Sequence, residues 1–214
     1  MVKRIFVTAT NTDIGKTYTT KLLLKEFASR GIRVGVIKLI ETGVDKKAFD
    51  GEELLTCIKE LNHKFENLHV EDIVPITYKL PAAPFVASNN TRLDLKKIDS
   101  AVEKLEKLCE LLIIEGAGGL YVPIDEEYMM IDMITYLQAI ALLVTHCSLG
   151  CINDTLLSKK ALDDKNIIHV VAFNCKKNDE SFASVSEPYF IQTGFEVLKV
   201  NENIDTICDV LYNN

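Results

Sequence analysis

The chain has 214 residues, of which 48% are hydrophobic and 26% charged, so it is long enough to bury one sizeable core. Its 24 Lys and Arg residues are outnumbered by 31 Asp and Glu residues, which gives a formal charge of −7. This acidic balance argues against binding of nucleic acids or anionic membranes through bulk charge, and apolar runs such as 139–144 are far shorter than the roughly 20 residues that span a bilayer.

The opening residues, MVKRIFVTAT, are typical of a β-strand rather than a signal peptide, because the apolar stretch is short and leads directly into turn residues. No two of the six cysteines form a C-x-x-C pair, so we expect reduced thiols that pack as small hydrophobes, in a cytoplasmic protein. The four histidines are not at metal-ligand spacing from another Cys or His, which argues against a structural zinc site.

Short β-branched runs alternate with amphipathic stretches along the chain. Strands are predicted at 4–7, 34–39, 111–115, 140–145 and 167–173, and helices at 16–30, 50–61, 95–110, 131–137, 153–163 and 184–194. Asp94 and either Asn153 or Asp154 are plausible helix caps. The strands are apolar at nearly every position, which suits a parallel sheet covered on both faces. We therefore predict a doubly wound, mostly parallel α/β fold as a single domain over 1–214, with 74–90 left without a regular element.

The first predicted strand is followed by Ala9-Thr10-Asn11-Thr12-Asp13-Ile14-Gly15-Lys16-Thr17 and then by a helical pattern, which is the context of a phosphate-binding P-loop. In such a loop Gly15 lets the backbone approach phosphate oxygens, Lys16 reaches the β- and γ-phosphates, and the Thr17 hydroxyl binds Mg²⁺. The first glycine of the usual pattern is absent, so a strand-to-helix turn with an exposed lysine remains the alternative.

Two further strand ends carry charged residues. Glu115 ends a buried strand and begins Glu-Gly-Ala-Gly-Gly, at the edge where ligands of open α/β sheets bind. It is a candidate metal ligand beside the P-loop, and the alternative is a solvated glutamate in a flexible turn. Lys38 ends the second strand, where contact with a bound anion and simple solvation are both open. Asp50 is a candidate second metal ligand or merely a helix cap.

Taken together, these segments resemble the dethiobiotin synthetase family of P-loop enzymes over nearly the whole chain. The resemblance rests on the loop from Thr10 to Thr17, the segment from Lys38 to Gly43, Glu115-Gly116-Ala117-Gly118-Gly119, and Leu149-Gly150-Cys151-Ile152-Asn153. It implies a cyclo-ligase of biotin biosynthesis, which joins CO₂ to 7,8-diaminononanoate, phosphorylates the carbamate with MgATP and closes a ureido ring.

The resemblance also implies a role for each matching residue. Lys16, Lys38 and Thr42 are expected to be catalytic, with Lys38 beside the carbamate. Nucleotide contacts are expected from Asp13, Ile14, Gly15, Lys16, Thr17, Tyr18, Glu115, Gly116, Ala117, Gly118 and Asn174. Mg²⁺ ligands are expected to be Thr17, Glu115 and Asp50, with Glu52 as the rival to Asp50. Substrate contacts are expected from Lys38, Thr42, Gly118, Gly150, Cys151, Asn153 and Tyr189, although a packing role for Tyr189 is open.

In this family the 149–153 segment reaches substrate across a two-fold interface, which implies a homodimer. The chain departs from the family pattern at three positions. Ala9 replaces a P-loop glycine, Ser148 replaces a common lysine, and Cys175 replaces the aspartate of an adenine-contacting Asn-Asp pair. The last departure leaves the preference for ATP over other nucleoside triphosphates open.

Three other interpretations compete with this one. A MinD/ParA-type nucleotide-gated ATPase shares the architecture, but Asn11 stands where a signature lysine is expected and residues 201–214 carry no basic face. A cobyrinate synthase of the amidotransferase type requires a fused glutaminase, for which 214 residues leave no room. A P-loop fold without catalytic activity would need several independent segments to mimic a site.

Overall fold

The chain folds around strands that alternate with helices, and the computed structural model describes residues 2–176, 179 and 181–214. The strands are β1 (Lys3–Ala9), β2 (Val34–Lys38), β3 (Ile40–Thr42), β4 (Ile76–Tyr78), β5 (Leu111–Gly119), β6 (Ile140–His146) and β7 (His169–Asn174). The helices are α1 (Lys16–Ser29), α2 (Phe49–Leu61), α3 (Val70–Ile73), α4 (Pro84–Ala87), α5 (Leu95–Glu106), α6 (Met130–Tyr136), α7 (Cys151–Asp164), α8 (Phe182–Val185), α9 (Glu187–Gln192) and α10 (Ile204–Asn213). Within these ranges no helix is long and apolar enough to cross a bilayer.

Five strands form a parallel sheet in the order β2-β5-β1-β6-β7. All five residues of β2 and the last five of β1 are buried, as expected for strands covered on both faces. Each predicted strand lies on one of these five, and the predicted α/β fold is confirmed. The strand order reverses on either side of β1, so the carboxyl end of β1 is the switch point at which open α/β sheets bind ligands.

The segment 74–90 forms part of a second, smaller sheet and a short helix. It contributes β4, which pairs in parallel with β3, followed by α4, which begins at Pro84. Pro81, in the connection between them, and Pro84 border the cleft at the carboxyl end of the main sheet. The stretch that showed no regular pattern in the sequence therefore covers one side of that cleft.

Several helical predictions differ from the structure, and the helix predicted at 95–110 ends at Glu106. The helix predicted at 184–194 is two short helices, α8 and α9, and Pro188 lies in the first turn of α9, where its missing N–H has no helical acceptor to lose. Helix α7 begins at Cys151 with Gly150 at its N-cap in the left-handed region, so a cap at Asn153 or Asp154 is wrong. Helix α10 was not predicted.

The cysteines correct another prediction. Cys147 and Cys175 each follow the last residue of adjacent parallel strands, β6 and β7, and the structure joins them in a disulfide with a Cα–Cα distance of 4.9 Å. The expectation that all six thiols are reduced is therefore wrong for this pair. The other four, Cys57, Cys109, Cys151 and Cys208, are free and buried. A sequence separation of 28 residues gave no sign that strand pairing brings the two sulfurs together.

Candidate active site

The loop between β1 and α1 has the backbone of a phosphate cradle. Asp13 and Gly15 have φ angles of 59° and 104°, and α1 begins immediately afterwards at Lys16. A Cβ on Gly15 would lie 2.1 Å from Asn174 Nδ2, so only glycine fits this close approach. The same Nδ2 donates a 2.7 Å hydrogen bond to the carbonyl oxygen of Ile14. Asn174, at the end of β7, thus holds the loop, and the first N–H groups of α1 are available to an anion.

Strand register brings together the charged residues predicted from separate motifs. Lys38 and Glu115 are paired across β2 and β5, and the Lys38 Nζ lies 2.8 Å from Glu115 Oε1. The same ammonium lies 2.5 Å from Asp50 Oδ2, in the first turn of α2. Thr17 Oγ1 donates a 2.8 Å hydrogen bond to Glu115 Oε1, which links this cluster to the P-loop.

The two lysines of the cleft have opposite pKa shifts. Burial lowers the pKa of Lys16 to about 8, although the negative charge of Glu115 opposes the shift. Burial alone would also lower the pKa of Lys38, but the charges of Glu115 and Asp50 outweigh it and raise that pKa above its ordinary value. Lys38 is therefore a permanent cation, whereas the charge of Lys16 depends on what binds beside it.

Glu115 has an oxygen that can bind a cation. Its side chain is fully buried, Oε1 is used by Thr17 and Lys38, and Oε2 has no hydrogen-bond partner among the residues that the structure describes. A buried carboxylate oxygen without a partner is costly unless a ligand satisfies it. Among the described residues no group of three or more His, Cys, Asp and Glu side chains is placed to hold a metal ion by itself. Mg²⁺ commonly uses only one or two protein carboxylates together with phosphate oxygens and water, so the arrangement of Glu115, Thr17 and Asp50 fits this ion.

Lys38, Asp50 and Thr17 border a cleft of about 1080 Å³ at the carboxyl end of β1, and the fully buried Glu115 lies behind them without lining it. The predicted residues that line it are Asp13, Gly15, Lys16, Thr17, Tyr18, Lys38, Thr42, Asp50, Ala117, Gly118 and Asn174. The lining residues outside the predicted set include Glu41, Lys176 and Asn201. Lys176 Nζ donates to the Asp13 carbonyl oxygen at 3.3 Å, and Tyr18 Oη donates to Asn201 Oδ1 at 2.6 Å. Lys176 and Asn201 do not belong to a sequence motif, and only the fold brings them to the P-loop.

Other predicted residues lie outside the cleft. A Cβ on Gly116 would lie 2.7 Å from the ring of Phe6, so this glycine permits close packing in the core. The α7 segment with Gly150, Cys151 and Asn153 does not line the cleft of this chain, and neither does Tyr189, whose ring packs edge-on against Phe190. Cys151 is fully buried.

Asp50 and Glu52, the two candidates for the second acidic ligand, have different partners. Glu52 lies 3.4 Å from the exposed Lys47 on the surface, whereas Asp50 contacts Lys38. Asp50 is the second residue of α2, with Ala48 at the N-cap, so the interpretation of Asp50 as a simple cap is wrong.

Comparison with known proteins first defines the class. A family model described as an AAA domain matches residues 3–208. A plasmid partition protein from Borrelia burgdorferi has a TM-score of 0.58 at 11% identity, covering 99% of this chain and 97% of that one. A ParA family ATPase from Chlorobium tepidum TLS has a TM-score of 0.53 at 13% identity, covering 99% and 93%. These low identities show the fold alone. The family model over residues 3–208 and the phosphate cradle between β1 and α1 define the class, a P-loop domain.

The relatives by sequence are more specific. The chain is 46% identical over 186 residues to the ATP-dependent dethiobiotin synthetase BioD of Sulfurovum sp. (strain NBC37-1), covering 87% of this chain and 89% of that protein. It is 36% identical over 210 residues to the ATP-dependent dethiobiotin synthetase BioD of Methanocaldococcus jannaschii, covering 95% and 91%. The chain belongs to the ATP-dependent dethiobiotin synthetase family.

Proposed function

We propose that this protein is a cyclo-ligase that converts 7,8-diaminononanoate, CO₂ and ATP to dethiobiotin, ADP and phosphate. The observation that carries the proposal is the single cluster formed by the P-loop, Lys38 and Glu115, together with the sequence relatives that bear this name. The MinD/ParA alternative is supported by fold likeness only, at 11–13% identity.

The reaction brings anions together. A carbamate formed on one amine of the substrate attacks the γ-phosphorus of ATP, and the second amine then displaces phosphate to close the ureido ring. Both anionic partners need positive charge that is already in place. Lys38, buried and always charged, suits the carbamate, and Lys16 suits the triphosphate. Thr42, on β3 at the cleft, offers a hydroxyl to the reacting group.

We assign the nucleotide to the cradle between β1 and α1. Its phosphates would meet the N–H groups of the Asp13–Tyr18 segment, and Asn174 would stand beside the base. When bound, Mg²⁺ would neutralise charge on the phosphate oxygens, and Thr17, Glu115 and Asp50 are the residues that would hold it. The unpartnered Oε2 of Glu115 supports this assignment.

We further propose that the protein is a homodimer whose substrate site is completed by the second subunit. The α7 segment that carries Gly150, Cys151 and Asn153 is flanked by Leu149 and Leu157, which are 85% and 63% exposed. Such exposure of leucine next to an expected substrate segment favours an apolar partner. Tyr189, half-exposed on α9, would cover the substrate. A cytoplasmic location is supported by the four free cysteines and not by the disulfide.

The proposal is tested by incubating the protein with diaminononanoate, bicarbonate, Mg²⁺ and ATP and detecting dethiobiotin by mass. We expect product from the wild type, and a loss of kcat of roughly 10²-fold or more in Lys38→Ala, as for removal of one preorganised charged donor. Lys97→Ala, which removes an exposed lysine on α5, is the matched control and should keep wild-type turnover. Absence of dethiobiotin from the wild type, where a known dethiobiotin synthetase turns over, would contradict the proposal.

A further inference from the structure

Glu41 is a buried carboxylate that borders the cleft but matches none of the predicted site residues. It lies on β3 and is 7% exposed. Its Oε1 accepts the backbone N–H of Asp50 at 3.1 Å, and its Oε2 accepts the backbone N–H of Gly51 at 2.9 Å. Both N–H groups belong to the first turn of α2, where amides have no acceptor within the helix. Glu41 therefore fastens the start of α2 to β3.

The N-cap residue of α2 does not supply these hydrogen bonds. Ala48, the N-cap residue of α2, has no side chain that can accept a hydrogen bond, so Glu41 supplies the acceptors from another element. The packing around Gly51 is equally close. A Cβ there would lie 2.4 Å from Val74 Cγ2 and 3.3 Å from Glu41 Oε2, so glycine lets the backbone reach the carboxylate.

The residue held in this way is Asp50. Its side chain is 47% exposed and makes its contact on the cleft side, where Oδ2 meets the ammonium of Lys38 at 2.5 Å. A side chain as short as aspartate has little reach of its own, so the place of its carboxylate follows the place of its backbone. The backbone N of Asp50 is one of the two groups that Glu41 binds.

We infer that Glu41 is a positioning residue of the active site: it fixes the start of α2 so that the Asp50 carboxylate remains against Lys38, beside the phosphates and their cation. The inference rests on the proposed function for the identity of the reaction, but the geometry that it concerns is that of nucleotide and cation binding. A purely structural role for Glu41 would change stability without acting through Asp50.

The test is a double-mutant cycle with Glu41→Gln, Asp50→Asn and the double variant. The Glu41→Gln change would keep the size of the side chain but replace one carboxylate oxygen by an amide NH₂ group, which cannot accept a backbone N–H. One of the two hydrogen bonds is then lost, and the other is made to an uncharged oxygen. Asp125→Asn is the matched control, because Asp125 is buried to a similar degree, at 5% exposed, and accepts backbone N–H groups of Leu93, Glu127 and Tyr128 at 2.8 Å, but does not line the cleft.

Two readouts are measured, well below the lowest melting temperature of the set. The first is the gain in affinity for a non-hydrolysable ATP analogue on adding Mg²⁺, by calorimetry without diaminononanoate. The second is kcat for dethiobiotin formation. We expect Glu41→Gln to lower the Mg²⁺-dependent gain and kcat by about tenfold each, and by less than about twofold when Asp50 is already Asn, because coupled residues are not additive. Asp125→Asn should change melting temperature but neither readout.

Each other outcome has a defined meaning. Equal effects of Glu41→Gln in both backgrounds, no effect on the Mg²⁺-dependent gain, or the same changes in Asp125→Asn would overturn the positioning role. If the wild type binds the analogue but makes no dethiobiotin, the proposed reaction fails, and the binding readout still decides the role of Glu41.

Discussion

Lys16 is 8% exposed, and its burial lowers its pKa to about 8, so at that pH about half of the ligand-free molecules carry a neutral amine. A bound triphosphate favours the charged form. Nucleotide binding at pH 8 should therefore take up about half a proton per molecule, and less at pH 7. Calorimetry in buffers of different ionisation enthalpy measures this uptake. Lys16→Met should abolish it, and equal uptake by that variant and the wild type would assign the proton to another group.

The sign for stability follows from the same shift. Because the folded-state pKa of Lys16 lies below the ordinary 10.5, the unfolded chain binds more protons between pH 8 and 10.5. The contribution of Lys16 to the free energy of unfolding therefore rises with pH across that window. Charged Lys16 is a cost to the fold, which a bound phosphate offsets.

Residues could be predicted from the sequence where the end of a strand and an unusual charge coincide. Lys38 and Glu115 each follow an apolar run, and parallel strands end at the same edge, so their meeting follows from the pattern. Glu41 gave a comparable signal, a carboxylate after the apolar Leu39 and Ile40, but its strand is only three residues long. Lys176 and Asn201 gave none, because they reach the cleft from loops.

Among the elements, the disulfide between the ends of β6 and β7 should contribute to stability. For a separation of 28 residues, loop-closure entropy alone gives roughly 3–4 kcal/mol. In a chain of this size, reduction should lower the melting temperature by about 10 °C. Calorimetry with and without a phosphine reductant measures the shift, and Cys147→Ser/Cys175→Ser should melt at the lower temperature in both conditions. Alkylation of both residues in the unreduced protein would show that the bond is absent.

The helices show why element prediction succeeded unevenly. Helix α1 begins at the predicted residue, Lys16, because the phosphate loop marks its start, and it ends one residue before the predicted C-terminus. Helix α10 lies outside the predicted helices, although Ile204, Ile207, Cys208 and Leu211 recur at helical spacing in the sequence. The division between α8 and α9 depends on one proline, whose position in a first turn is clear only once the helices are seen.

At the scale of the whole molecule, two exposed leucines predict self-association: Leu149, just before α7, and Leu157, within it. Light scattering after size exclusion should give twice the chain mass of 24.0 kDa. Leu149→Asp/Leu157→Asp should give a monomer, because burying two carboxylates in an apolar interface is unfavourable. Ile168→Asp is the control, since Ile168 is 56% exposed but precedes β7 at the amino end of the strands, whereas Leu149 follows the carboxyl end of β6. A wild-type monomer would contradict the proposed dimer.

The fold and the function were predictable to different degrees. Apolar strands separated by amphipathic helices specify the sheet, and a plasmid partition protein and a ParA family ATPase that are only 11% and 13% identical share the fold. The sheet alone therefore does not predict the reaction. The prediction of the reaction depended on Lys38, Glu115 and the P-loop lying at one edge of the sheet. That residues 1–214 form one domain stays a prediction.

The central position of β1 also has a consequence for biosynthesis. Its neighbours come from much later in the chain, since Ile5 is paired with Ile113 on one side and Ile140 on the other. At ~5–20 residues per second on the ribosome, roughly 7 to 27 s separate the synthesis of Ile5 from that of Ile140. During that interval the strand that carries the phosphate cradle lacks at least one of the neighbours that bury it. A nascent chain of this protein should therefore present β1 to chaperones until β6 has emerged.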